Sequence, residues 1–155
     1  MKSRTKARAM ALQALYEFDL TGHPVEVILN DRLSEEQIDE KYRPFIYEIV
    51  QGVHPIIPIL DSLIADQAPE WPLDQVASID RNIIRIALWE FAVEKCSPIK
   101  VAINEAVELA KIYGSDSTPR FVNGVLGSLV TNYDNYHHEL DNLGSKNRNQ
   151  NDPKA

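Results

Sequence analysis

The sequence predicts an all-α fold on three observations. Apolar residues recur at three- and four-residue spacing along most of the chain, helix start and stop signals punctuate that pattern, and no stretch alternates as a strand would. The 155 residues are enough for one domain with one core. With 44% hydrophobic and 25% charged residues, the composition is that of an ordinary globular domain. We expect no membrane span, because the apolar runs are short, and no signal peptide, because no apolar segment follows the basic start. The lone Cys96 excludes an intrachain disulfide and fits a cytoplasmic setting.

A first helix is expected over 4–20, ending before Gly22, with Ala7, Met10, Ala11, Ala14, Leu15 and Phe18 as its buried stripe. A short second helix follows over 24–33, with Val25, Ile28 and Leu29 inward. Ser34 and Gln37 have the spacing of a capping box. Pro44 disfavours helical geometry at Arg43, so the third helix is placed from near Pro44 to near Gly52. Pro55 opens a fourth helix, carrying Pro58 in its first turn and Ile59, Leu60, Leu63 and Ile64 on its apolar side. Pro69 and Pro72 bracket a connector containing Trp71, and a long fifth helix is expected over 73–94. Ser97 and Pro98 start a sixth helix that Gly114 ends, and Thr118 and Pro119 start a seventh. The helical domain covers 1–141, and the polar tail over 142–155 is expected to be disordered.

The net charge is -7, but it is unevenly spread. Lys2, Arg4, Lys6 and Arg8 stand together without an acid, leaving 12 basic residues against 23 acidic ones in the remainder. A local basic surface on an acidic body suits nucleic acid at one place and a basic protein at another, unless the four cations merely keep a helix soluble. On the first helix, Lys2, Lys6, Gln13 and Tyr16 project along one flank, and Arg4 and Arg8 leave the other side of its start. Cations bind phosphate, an amide can read a base edge, and tyrosine can stack on an unpaired base. On the sixth helix, Val101 and Ile112 fall near the polar side close to Glu105, as a small docking patch or as ordinary surface aliphatics.

No catalytic constellation is recognised. The four histidines lack metal-ligand spacing, and the glycines are scattered singly, so no metal, cofactor or phosphate loop is expected. Asp80 falls within the apolar arc of the fifth helix, where it is expected to be structural, held by an arginine or by backbone amides. Glu90 lies at the edge of that arc, structural or facing a partner. Gly124, inside a helical pattern, is expected to mark a close helix–helix approach.

Five segments together resemble the NusB family: R-T-K-A-R-A-M-A-L-Q-A-L-Y at 4–16, Q-G-V at 51–53 with L-D-S-L-I at 60–64 and Trp71, D-R-N-I-I-R-I-A-L-W-E at 80–90, P-I-K-V-A-I-N-E-A-V-E-L-A-K at 98–111, and R-F-V-N-G-V-L at 120–126. They occur in family order, and the pair N-E-A-V-E-L-A-K and F-V-N-G-V-L is highly specific. The resemblance implies a seven-helix bundle of two subbundles and no enzymatic activity. It implies binding of the single-stranded boxA element of nascent RNA together with NusE, a small-subunit ribosomal protein, within the transcription elongation complex that makes ribosomal RNA. By position it places Arg4, Lys6, Arg8, Gln13 and Tyr16 at the RNA surface and Tyr113 and Phe121 beside a loop that approaches RNA. Glu90 and the exposed side of the sixth helix would lie nearer the protein partner. Thr5, Ala9, Ser117 and Gly127 depart from residues common in the family. A fused methyltransferase is not expected without a glycine-rich methyl-donor segment. The competing class is a protein-only scaffold, as a homodimer, that never touches RNA.

Overall fold

A computed structural model describes residues 2–69 and 76–145. They form α1 (Ser3–Thr21), α2 (Val25–Glu35), α3 (Arg43–Val53), α4 (Ile57–Gln67), α5 (Ser78–Leu88), α6 (Ile99–Tyr113), α7 (Thr118–Thr131) and α8 (Tyr133–Leu140). No strand occurs among the described residues. Single 3-10 turns at Glu40–Tyr42 and His54–Ile56 make Glu40–Gln67 one unbroken helical stretch. With α3 and α4 taken as that one stretch, the described residues hold seven helical runs, as expected for the bundle. Trp71 and the expected start of the fifth helix lie outside the described residues, as do residues 146–155.

The helices divide into two groups. In one, α2 and α3 pack on α1; in the other, α5, α6 and α7 pack on one another, with α4 and α8 alongside. α1 also touches α5 and α6 and so belongs to both groups. This explains a departure from the expected single stripe. Every residue from Ala7 to Leu12 is buried, because α1 has neighbours on several sides. Its alanines at 7, 9, 11 and 14 keep those neighbours close at little side-chain entropy cost. Gly22, with φ 71, ends the helix in the left-handed conformation and returns its N–H to the Phe18 carbonyl.

α5 does not end as a plain helix. It passes into a π-helical turn at Trp89–Val93 and stops at Lys95, whose φ of 57 is left-handed. This turn packs Trp89 over α3, where Gly52 makes room: a Cβ there would lie 2.3 Å from the indole Nε1. It also turns Glu90 fully inward. Arg8 and Glu90 are 2% and 1% exposed, and Arg8 donates from Nε to both carboxylate oxygens at 3.0 and 3.1 Å and from NH2 to Oε1 at 2.8 Å. Ser97 Oγ adds a third donor to the carboxylate at 3.2 Å. Arg8 NH1 lies 3.5 Å from Glu105 on α6, and its guanidinium stacks 5.2 Å from the Phe45 ring centroid on α3. One side chain of α1 thereby joins α3, the π turn and α6.

A second buried network fixes the other end of α1. Arg85, on α5, bonds Asp61 of α4 at 2.8 and 2.6 Å and Asp19 of α1 at 3.0 Å, and Asn82 donates to Asp19 at 2.8 Å. Contacts from Arg8 to Glu90 and from Asp19 to Arg85 set α1 antiparallel to α5 and its π turn. Contacts from Thr5 to Glu105 and from Gln13 to Tyr113 set α1 parallel to α6.

Several expectations are corrected. Asp80 is held by neither arginine nor backbone amides; its half-buried carboxylate accepts the Thr118 hydroxyl at 3.1 and 3.2 Å. Ser34 caps no helix, because α2 runs on to Glu35 and the Ser34 hydroxyl turns back to the Asp31 carbonyl. Gly124 marks no close approach: it is exposed, and an added Cβ would meet nothing within 4 Å. Within the segment read as a disordered tail, Leu143 packs on the core, and Ser145 N–H donates to Glu94 at 3.1 Å. The Glu40–Gln67 stretch is long and apolar enough, by length and composition, to cross a membrane, which the prolines at 44, 55 and 58 hid from the sequence reading. Its Ile46, Ile49, Val50, Val53, Leu60 and Ile64 are fully buried in the bundle.

Removing one partner of a buried, hydrogen-bonded pair leaves the other charge stranded, at a cost of about 3–5 kcal/mol. Glu90→Ala is expected to lose about that much stability in urea unfolding, and a loss under about 1 kcal/mol contradicts the pairing described. Burial pushes the Asp80 carboxyl above the usual carboxylate range, and the Thr118 hydroxyl offsets this in part. With a native pKa raised above the unfolded value, the contribution of Asp80 is fully present below the unfolded value and falls as pH rises through the native one. Asp80→Asn keeps an acceptor for Thr118 and should flatten the fall in stability as pH rises above the unfolded carboxylate value of about 4, relative to the parent. Parallel profiles for the two proteins would contradict this account.

Candidate nucleic-acid interface

The start of α1 carries the basic residues, and the fold sorts them. Lys2 and Arg4 are exposed, with the Arg4 guanidinium 5.3 Å from the centroid of Phe45. Lys6 is half-buried and donates from Nζ to the Gln37 carbonyl at 2.9 Å. Arg8 faces the interior, so it is removed from the contact surface that the sequence assigned to it. A helical wheel places Arg8 near Arg4 but does not reveal that α3, the π turn and α6 close over that side.

Further along α1, Gln13 donates to the Tyr113 hydroxyl at 3.2 Å and accepts from Arg32 at 3.0 Å. Tyr16, one turn beyond, is half-buried. A cavity of about 350 Å³ opens along this flank, lined by Lys6, Ala9, Met10, Gln13, Glu36 and Tyr113. The parallel packing of α1 and α6 thus brings together two residues 100 positions apart that the sequence singled out separately. Ala9 leaves its part of the cavity wall small and uncharged. Phe121, in the first turn of α7, is half-buried against the core.

On the other side of the α1 start, a second cavity of about 430 Å³ is lined by Arg4, Lys41, Tyr42, Pro44, Phe45 and Glu48. Lys41 lies 5.2 Å from the Tyr42 ring centroid. Cations interleaved with aromatic rings can hold both the phosphates and the faces of unpaired bases. Sequence reading missed Arg32, Lys41 and Phe45 as members of this surface. The dipeptide Lys41-Tyr42 after an acidic run was the available signal, but only the fold puts it beside Arg4.

The exposed side of α6 presents a different chemistry. Val101 and Ile112 are 43% and 47% exposed, and Glu105 and Glu108 lie between them at the spacing of one helical stripe. Val101 and Ile112 are 11 residues, about 16 Å, apart along the helix. Glu105 accepts from Thr5 at 2.9 Å, so its carboxylate already faces α1. Glu90 is not part of this face, because the π turn points it at Arg8; the expectation that it meets a protein partner is corrected.

Among the described residues no group of three or more His, Cys, Asp or Glu side chains is placed to hold a metal ion. The Cys96 thiol is pushed up by burial and by the nearby Glu90 charge, which disfavours the nucleophilic thiolate.

The sequence model of the NusB family matches residues 5–131. Over 132 residues the chain is 46% identical to a transcription antitermination protein NusB of Roseiflexus castenholzii, covering 84% of this chain and 93% of the relative. It is 41% identical over 129 residues to the NusB of Bacillus subtilis, covering 83% and 95%. Among solved structures, NusB of T. maritima superposes with a TM-score of 0.76 at 31% identity, over 84% of this chain and 92% of that one. A NusB solved with NusE and double-stranded RNA shares the fold, with a TM-score of 0.75 at 24% identity over 86% and 99%. The match runs from the first helix through α7 and includes both flanks of the α1–α6 cavity, and on this basis the chain belongs to the NusB family.

Proposed function

We propose that this protein is a transcription antitermination factor that binds boxA-type single-stranded RNA together with NusE and supports ribosomal RNA transcription. The observation that carries the reading is the surface around α1, where Lys6 and Arg4 each line a cavity edged by a tyrosine and Lys2 stands exposed at the helix start, on a chain of net charge -7. Its relatives are antitermination proteins, and the fold is that of a NusB solved with NusE and RNA. The protein works as an adaptor and not as a catalyst, in the cytoplasm with the elongation complex.

Two kinds of contact divide the work. Lys2, Arg4 and Lys6, with Lys41, supply phosphate contacts that set affinity and carry little sequence information. Gln13, Tyr16, Tyr113 and Phe121 supply the contacts to bases. The outer stripe of α6, with Val101 and Ile112 beside Glu105 and Glu108, suits a basic protein such as NusE, whose charge also offsets that of the acidic body. A homodimer formed through the same stripe is the second reading, favoured by the exposed aliphatic pair.

A salt series of RNA titrations tests the reading. On a single strand, each phosphate that a variant no longer neutralises should flatten the slope of log K against log salt by about 0.7. The Lys2→Ala/Arg4→Ala/Lys6→Ala variant leaves Arg8 and the core intact, so it should remain folded, flatten the slope and weaken all RNA sequences alike. Saturating NusE should tighten RNA binding to the parent, and RNA must tighten NusE binding by the same factor. Unchanged RNA affinity in the folded triple variant, with no effect of NusE, would favour the protein-only scaffold.

A further inference from the structure

Gln13 is held between two partners, one of which has fixed polarity. Arg32, on α2, donates from NH1 to Gln13 Oε1 at 3.0 Å, and a guanidinium has no acceptor to offer. The amide is therefore locked with its oxygen toward α2 and its nitrogen toward α6, where Nε2 donates to the Tyr113 hydroxyl at 3.2 Å. The same guanidinium donates from NH2 to Glu17 at 2.9 Å. Glu17, Arg32, Gln13 and Tyr113 thus form one directed chain of hydrogen bonds across α1. A guanidinium offers donors only, so the direction does not reverse.

The consequence falls on Tyr113. Its oxygen accepts from Gln13, so its own proton points elsewhere, and no acceptor among the described residues takes it. The cavity of about 350 Å³ opens beside it, and Glu36 is among the residues that line it. A volume at the small end of the ligand-pocket range suits one flat, polar-edged group. A carboxylate in the lining can accept from a base N–H.

We propose that Arg32 is a positioning residue for RNA recognition, which acts through Gln13 to present the Tyr113 hydroxyl as a hydrogen-bond donor to the edge of one unpaired nucleobase held in this cavity. The second Nε2 hydrogen of Gln13 is an additional donor, and Glu36 receives the base N–H. The inference rests on the RNA-binding reading above and deepens it. The charge of Arg32 is already matched by Glu17, so its role is distinct from that of the phosphate-binding cations.

The test uses the full chain, a single-stranded RNA that it binds, and a set of the same RNA in which each nucleotide in turn lacks its base. Arg32→Lys keeps the charge, but one ammonium cannot hold Gln13 and Glu17 in the fork geometry of a guanidinium. Tyr113→Phe removes only the hydroxyl. Each variant should weaken intact RNA by about three- to tenfold, the size of one hydrogen bond, with an unchanged salt slope. Each should also shrink the penalty for a missing base at one and the same nucleotide. The double variant should be no weaker than the weaker single one, because both remove one interaction. Wild-type affinity and an unaltered missing-base pattern in both variants would overturn the relay, as would additive effects or a flattened salt slope in Arg32→Lys. If Lys6→Ala still weakens binding while the two relay variants do not, RNA binding stands and the relay falls. If the parent binds no RNA, both fall.

Discussion

The ion pair between Arg8 and Glu90 is the constraint on which the rest of this architecture depends. A charge buried without a partner costs too much to keep, so each side chain dictates where the other's backbone must run. Arg8 lies on the helix that both groups of the bundle share, and Glu90 lies on a π turn that departs from regular helix to present it. The turn is one of the irregularities that insert an extra residue into a helix and are frequently found at functional sites. Here it places Trp89 over Gly52 on one side and Glu90 against α1 on the other. With Asp19 tied to Arg85 about three turns further along, α1 is fixed at both ends and its register against α5 and α6 is settled.

That register determines the surface. α1 runs parallel to α6, so Gln13 meets Tyr113 and a cavity opens between the helix start and the segment after α2. The same geometry withdraws Arg8 from solvent and leaves Lys2, Arg4 and Lys6 outside. The four-cation cluster therefore divides into one buried, ion-paired cation and three that stay at the surface. Thr5 belongs to the same arrangement: its hydroxyl donates to the half-buried Glu105 carboxylate, which lies 3.5 Å from Arg8.

Much of this was legible in the sequence. Apolar spacing and the Gly22, Pro98 and Thr118-Pro119 signals located α1, α6 and α7 to within a residue or two, because those signals act on the local backbone. Local rules failed where tertiary partners decide. Nothing near Glu90 in the sequence announces a cation 82 positions earlier, and nothing near Asp80 announces the Thr118 hydroxyl. Ser34 and Gln37 matched a capping pattern, yet α2 continues through Ser34. For the candidate site, Lys6 and Gln13 were identifiable by residue type and position, and Tyr113 only through the family resemblance. Their convergence, and the addition of Arg32 and Lys41 from other elements, required the packing of α1 against α2, α3 and α6.

The central claim is that RNA is held by the surface that α1 builds with α6 and with the segment entering α3. Backbone amide shifts on titration with single-stranded RNA test it most directly. The account predicts perturbations concentrated at Arg4, Lys6, Gln13, Tyr16, Lys41 and Tyr113, with α4 and α8 unmoved. Perturbations confined to the outer stripe of α6 around Val101 and Ile112, or spread along α4 and α8 with α1 silent, would contradict it.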